Sequence, residues 1–220
     1  MITPVVAVIH ATAASMAPVS EAFAEVCSGA TVWHLLDDRL VVEAEKAGGL
    51  TDVLRQRMVT LIAYAVDAGA DAVQLACSIY GPVAESETRS IPVVASDRAM
   101  FEEVVRLNPG VVTVLASLDA SASDTAARLG ALLDEHHLAP RIDTVVVPGA
   151  KEAATIGDSE KLGRLLAASA TGAPPSDVVV LAQYSLAPGA ARAVQVLDVP
   201  VLSAPRLAAE QIARTLERLV

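Results

Sequence analysis

A chain of 220 residues with 53% hydrophobic and 19% charged residues has enough apolar mass for a sizeable core, in one domain or two compact lobes, and is too apolar to be disordered. Its formal charge of −10 comes without a basic stripe, and only 3% of its residues are aromatic, which disfavours nucleic acid as a partner by both the phosphate and the stacking routes. Its apolar runs fall short of a membrane span, so no membrane partner is expected, and the acidity does not exclude an anionic substrate held by local backbone amides.

The start, "MITPVVAVIH", reads as a first strand without a basic leader or cleavage site, which makes the cytoplasm the expected compartment. Apolar runs then alternate with helix-length segments. In chain order the strands read "VVAVIH", "TVWHLL", "DAVQLAC" and "IPVVAS", then "VVTVLAS", "IDTVVVP", "DVVVLAQ" and "VPVLSA". Continuous apolar strands of this kind belong to an α/β protein whose parallel sheets are covered by helices on both faces. Between the second and third strands, residues 51–67 place Val53, Leu54, Met58, Leu61, Ile62 and Ala65 at helical spacing before Gly69. Residues 123–135 predict a second helix through Ala127, Leu129, Leu132 and Leu133.

The strand order of the first half returns in the second. "DAVQLACSIYGPV" from Asp71 is echoed by "DVVVLAQYSLAPG" from Asp177, an offset of 106 residues that also relates Val5 to Val111. Later the offset becomes 108, relating Ile91-Pro92-Val93 to Val199-Pro200-Val201 and Arg98 to Arg206. Shared Asp, Pro and Arg positions favour duplication over generic likeness. The expected fold is therefore two pseudo-symmetric Rossmann-like lobes, each with a four-stranded, mainly parallel sheet. Residues 1–97 with 205–220 form the first lobe and 98–204 the second. Ligands of such folds bind beyond the carboxyl ends of the strands, which puts the expected active site in the cleft between the lobes.

Four strand ends then carry the chemistry: His10 to Thr12, Cys77 to Gly81, Ser117 to Ser121, and Gln183 to Ser185. Cys77 at a strand mouth can act as proton donor, acceptor or nucleophile, or be a small buried hydrophobe. Gln183, its counterpart, can hydrogen-bond a carboxylate or carbonyl but exchanges no proton; the alternative is an amide that anchors a loop. His10 ends the first strand as a base, a donor or a satisfied structural histidine. Thr12, Ser78, Ser117 and Ser185 are hydroxyls beside helix starts, able to bind carboxylate oxygens or to cap. Lys151 and Glu152 line the site or are solvated. His34, Cys27 and the pair His136-His137 are weaker candidates, and Cys27 reads as helix packing.

No metal is expected, because two cysteines and four scattered histidines lack zinc-ligand spacing. The dinucleotide, nucleotide-phosphate and nucleophile-elbow motifs are missing as well, so no nucleotide cofactor is expected.

Through "ADAVQLACSIYGP", "VVTVLASLDASASDTAARL" and "DVVVLAQYSLAP" with "VPVLSAPRL", the chain resembles the aspartate/glutamate racemase superfamily, which includes hydantoin racemase, maleate isomerase and arylmalonate decarboxylase. The resemblance implies two α/β lobes, no cofactor, a small carboxylate-bearing substrate and, as relatives commonly do, a homodimer. Of the family's two catalytic cysteines, the first maps onto Cys77 and the second onto Gln183. The substrate carboxylate would be gripped around Thr12, Ser78, Ser117 and Ser185, with Asp119 standing where proline is usual. Two-base racemisation needs exchangeable protons on both faces of the carbanion, so one-thiol chemistry is what remains. The lead expectation is a cofactor-independent isomerase or racemase-like enzyme using Cys77, with Gln183 hydrogen-bonding substrate and His10 or Asp119 as the other base. A decarboxylase or other carbon–carbon lyase and a catalytically inactive small-ligand-binding protein are the alternatives.

Overall fold

The computed structural model describes residues 3–218. By contact the chain divides into two compact units: the described residues up to Arg98 together with those from Pro205 onward, and Ala99–Ala204.

The first unit builds a sheet from β1 (Val5–His10), β2 (Thr31–Leu36), β3 (Ala72–Leu75) and β4 (Val93–Val94), ordered β2-β1-β3-β4, with every neighbouring pair parallel. Its helices are α1 (Met16–Val26), α2 (Arg39–Ala47), α3 (Asp52–Asp67) and α4 (Gly81–Ser86). Helix α5 (Arg98–Leu107) starts on the last residue of this segment and runs on into the second unit.

The second unit repeats the plan with β5 (Val111–Ala116), α6 (Asp119–Glu135), β6 (Arg141–Val146), α7 (Ala150–Thr155), α8 (Ser159–Gly172), β7 (Val178–Leu181), α9 (Ala190–Val196) and β8 (Val201–Ser203). Its sheet order is β6-β5-β7-β8, again all parallel. Helix α10 (Ala204–Glu217) begins where β8 ends and, from Pro205, belongs to the first unit.

Strand sequence follows from burial. Val6 to His10 and Val112 to Ala116 are buried throughout, so apolar residues occupy both alternating faces. The edge strands β2 and β6 are half-exposed along their length. Thr51 starts α3 by accepting the Leu54 N–H on its hydroxyl at 3.3 Å, and Asp158 caps α8 through the Lys161 N–H at 2.9 Å.

The repeated aspartates have a structural task. Asp71 Oδ2 accepts the Val5 N–H at 2.7 Å, and Asp177 Oδ2 accepts the Val111 and Gly110 N–H groups at 2.9 and 2.8 Å. Each carboxylate closes the amino end of a central strand pair whose register is also duplicated, Ile9 opposite Leu75 and Leu115 opposite Leu181. The Asp in the sequence echo therefore belongs to the scaffold, and the divergence at Cys77 and Gln183 lies at the other end of the same strands.

In the second unit, α8 comes close to a 3₁₀ segment, Tyr184–Gly189, that carries Ser185. A methyl group on Gly163 would stand 3.0 Å from the Gly189 carbonyl oxygen and collide with the Arg192 side chain. Glycine to alanine in an exposed helix gains about 1 kcal/mol. Here we expect Gly163→Ala to do the opposite, lowering the thermal midpoint measured by circular dichroism, because the neighbour to be displaced is partly backbone.

Candidate active site

In the first unit the carboxyl strand ends carry four of the expected groups, His10 and Thr12 at the end of β1 and Cys77 and Ser78 after β3. After β1, Thr12 is extended and caps a 3₁₀ turn, Ala13–Ser15, its hydroxyl accepting the Ala14 N–H at 3.4 Å. After β3, Ala76 still pairs with β1 through its N–H to the Ile9 carbonyl at 2.9 Å, and Cys77 follows in extended conformation. Cys77 is half-buried against the unit's apolar core and heads a 3₁₀ turn, Ser78–Tyr80, with Ser78 buried. Tyr80 ties that turn down: it is fully buried and its hydroxyl donates to the Leu40 carbonyl at 3.1 Å. Burial first, then the charges of Cys77 and Asp37, push its phenol well above the ordinary tyrosine range, so it stays a proton donor beside the thiol.

Gln183 occupies the equivalent place in the second unit, extended and heading a 3₁₀ segment. The backbone bonds match, Tyr80 N–H to the Cys77 carbonyl at 3.2 Å and Leu186 N–H to the Gln183 carbonyl at 3.0 Å. Its side chain turns sideways along the sheet: Gln183 Oε1 accepts the Ser117 N–H at 2.7 Å, joining the ends of β7 and β5. The amide is thus a loop anchor, and it occupies the backbone donor that a substrate anion at Ser117 would seek. Its NH₂ group retains two donors. Ser117 and Ser185 are both half-buried.

The segment "ASLDASAS" corrects the expected helix boundary. Helix α6 begins at Asp119, four residues before the Ser123 start that its apolar spacing suggested, with Leu118 as the extended cap residue. An acidic residue in the first turn faces the positive end of the helix dipole, a favourable start that hydrophobic periodicity does not register. Asp119 is exposed there, as Lys151 and Glu152 are on α7.

His10 is fully buried, and both ring nitrogens are engaged. Nδ1 lies 2.6 Å from Ser15 Oγ and Nε2 lies 2.9 Å from Nδ1 of His34, with the two rings 5.0 Å apart between centroids. His34 Nε2 reaches the exposed Ser20 hydroxyl at 3.0 Å, and Ser15 Oγ donates to the Thr12 carbonyl at 2.8 Å. Burial, and secondarily the neighbouring His34, lower His10 from 6.5 to about 4; burial alone lowers His34. His10 therefore has no free ring nitrogen to present to a substrate, and it acts on the Thr12 turn through Ser15.

Sequence reading ranked His34 low and missed Ser15, Asp37 and Arg57. Arg57, from α3, grips Asp37 with contacts of 2.7 and 2.8 Å and Glu43 at 3.1 Å, while the Asp37 N–H donates to the His10 carbonyl at 3.0 Å. The available signal was parity. His34 pairs with Val8, two residues before His10 and therefore on the same sheet face, but the β1–β2 register is not written in either strand. Cys27 is half-buried at the end of α1, its thiol pushed up by burial and then by Glu217, as a packing residue would be. Among the described residues no three His, Cys, Asp or Glu side chains converge to hold a metal ion, and no helix is long and apolar enough to cross a membrane.

Solved structures share this fold over nearly the whole chain. A glutamate racemase of Bacillus anthracis superposes with a TM-score of 0.73 at 14% identity, covering 98% of this chain and 82% of that one. Aspartate racemase of Picrophilus torridus gives 0.72 at 12% identity over 97% and 94%. Unliganded arylmalonate decarboxylase gives 0.64 at 20% identity over 97% and 92%. No protein-family model and no curated protein matches the chain by sequence. The fold is thus the racemase-type α/β fold expected from the motifs, at identities that speak to architecture alone.

The His10 environment has a thermodynamic consequence. Between its ordinary value of 6.5 and about 4, the unfolded chain binds a proton that the folded chain refuses. Stability present above pH 6.5 is then lost as pH falls towards about 4, by on the order of 3 kcal/mol. Urea unfolding across that interval should show the loss in the wild-type chain and a smaller one in His10→Gln, which does not titrate. An equal acid slope in the two would remove His10 as its source.

Proposed function

We propose that the chain is a cofactor-independent isomerase of the racemase type, acting beside the carboxylate or carbonyl of a small metabolite, with Cys77 as its single thiol. The observation that carries this reading is the pairing of Cys77 with Gln183 at equivalent strand ends of a duplicated, racemase-type fold.

One thiol limits the chemistry. As thiolate, Cys77 can take a proton from the carbon next to a carboxylate, becoming a thiol while the C–H electron pair moves onto the carboxylate as an enediolate; a proton delivered by water to the opposite face, with the thiol proton released to neutralise the hydroxide left behind, restores the acid with its centre inverted. It can instead add to an activated double bond. The sulfur–carbon bond forms, the π pair moves to the conjugated oxygen, rotation about the new single bond follows, and elimination of the thiolate leaves the other geometric isomer. Neither route consumes a redox equivalent. Gln183 can support an oxyanion through its NH₂ donors but supplies no second exchangeable proton, which argues against the symmetric two-thiol route. Thr12, Ser78, Ser117 and Ser185 are the proposed carboxylate contacts, Ser117 through its hydroxyl because Gln183 holds its N–H, while His10 works through Ser15 and Thr12. Asp119, exposed on the first turn of α6, is retained as a substrate-side group.

Likeness to arylmalonate decarboxylase supports a second reading, in which a carbon–carbon bond breaks to release carbon dioxide, its electron pair forms the enediolate, and the Cys77 thiol protonates it.

Incubating the protein in deuterated water with aspartate, glutamate, maleate, a 5-substituted hydantoin and an arylmalonate separates these readings. Deuterium exchange or geometric isomerisation without mass loss supports the isomerase. Carbon dioxide release with one deuterium gained supports the lyase, and binding without chemistry supports neither. Whichever activity is found, Cys77→Ala should lower it by about 10²–10⁴-fold with the fold intact by circular dichroism. Turnover at the wild-type rate in that variant would sink the assignment. Gln183→Cys restores a second thiol and releases the Ser117 N–H; gain of amino-acid racemisation in that variant, followed by polarimetry, is the expected result.

A further inference from the structure

We infer that His10 and His34 form one proton-binding unit that takes up a single extra proton and, in holding it, fixes the carbonyl of Thr12. The two imidazoles sit in the middle of a chain of five side-chain contacts, whose Thr12 end also accepts the Ser15 N–H at 3.3 Å. It runs from the Thr12 carbonyl to Ser15 Oγ (2.8 Å), His10 (2.6 Å), His34 (2.9 Å), Ser20 Oγ (3.0 Å) and the Met16 carbonyl (3.1 Å). Both ends are carbonyl oxygens, which only accept.

With both rings neutral, Ser15, His10, His34 and Ser20 bring one proton each, four protons for five contacts. One contact is then always empty. If all donors point toward Thr12, the Ser20 hydroxyl is lost to the Met16 carbonyl; if all point toward Met16, the Thr12 carbonyl loses the Ser15 hydroxyl and keeps only the Ser15 N–H at 3.3 Å; otherwise two lone pairs face each other inside the chain. One added proton fills every contact at once. Ser15 then donates to Thr12, His10 Nδ1–H to Ser15, one N–H lies between the rings, His34 Nε2–H donates to Ser20, and Ser20 donates to Met16. A second added proton would set two N–H groups against each other across the 2.9 Å contact between the rings, beside fully buried His10.

The surroundings leave this choice to the pair. His34 is the one charged neighbour that acts on His10, and burial alone acts on His34. Asp37 and Glu43 are committed to Arg57, Glu25 of α1 is paired with Arg206 of α10, and Glu21 is exposed. Burial opposes the charge while the contact count favours the first proton and rejects the second, so uptake belongs below the ordinary histidine range. Exposed Ser20 gives the proton its way in. His34 and Ser15 are thus positioning residues for the Thr12 turn. That this turn meets substrate rests on the function proposed above; the proton count does not.

The test is nitrogen NMR of the full chain labelled in histidine, titrated from about pH 8 down to about pH 4. The expected result is that the His10 and His34 ring signals move together at one midpoint below 6.5, with one proton taken up by the two rings, and that the Ala14 and Ser15 amide signals follow it. Two separate midpoints, uptake of two protons before unfolding, or no uptake before unfolding would each overturn the inference. In Ser15→Ala the proton on His10 Nδ1 would have no partner, so the joint transition should vanish; its persistence would also overturn the inference, and if that variant does not fold the wild-type titration decides alone. Cys77→Ala should keep the wild-type midpoint, which separates failure of the proton unit from failure of the proposed catalysis.

Discussion

Each unit depends on the parallel pairing of its two central strands, β1 with β3 and β5 with β7. These strands are buried on both faces and are mostly apolar, with Gln74 in β3 and Thr113 in β5 as buried polar exceptions. At the amino ends, Asp71 and Asp177 accept the first backbone N–H groups of the neighbouring strand and close the pairing. At the carboxyl ends the chain leaves the sheet through short turns, where a thiol, an amide or an imidazole can stand beside backbone donors that the ladder does not use.

The same scaffold is used differently at its two chemical ends. In the second unit, Gln183 spends its carbonyl on the Ser117 N–H, a strong local tie between β7 and β5. In the first unit the equivalent strand end carries Cys77, and its turns are held by other contacts: Arg57 of α3 on Asp37 after β2, and the Tyr80 hydroxyl on the Leu40 carbonyl of α2. Duplication therefore preserved the backbone bonds that hold the turn and released the side chain. That division lets a thiol stand in one copy and an anchoring amide in the other on the same backbone turn.

Most of the architecture was legible because burial imposes periodicity. Eight apolar runs, helical spacing in "DVLRQRMVTLIAYAVD" and an offset repeat are enough to specify two parallel α/β units. The start of α6 was misjudged because Asp119 and Ala120 add no apolar period, although they satisfy a helix start. Cys77 and Gln183 stood out because the repeat aligned them. His34 did not, since its partner is two residues off the directly paired position and in another strand.

By itself the sequence determined the class of fold, the duplication and the asymmetry of thiol and amide, all of which follow from composition and spacing along one dimension. The tertiary structure decided which hydrogen bonds those side chains make. Gln183 turned out to be an anchor, His10 a buried member of a chain from Ser20 to Thr12, and Tyr80 and Arg57 supports for the turns at the β3 and β2 ends. Such contacts join residues from different strands and helices, and they depend on register and on distances of a few tenths of an ångström, which no periodicity in the chain encodes.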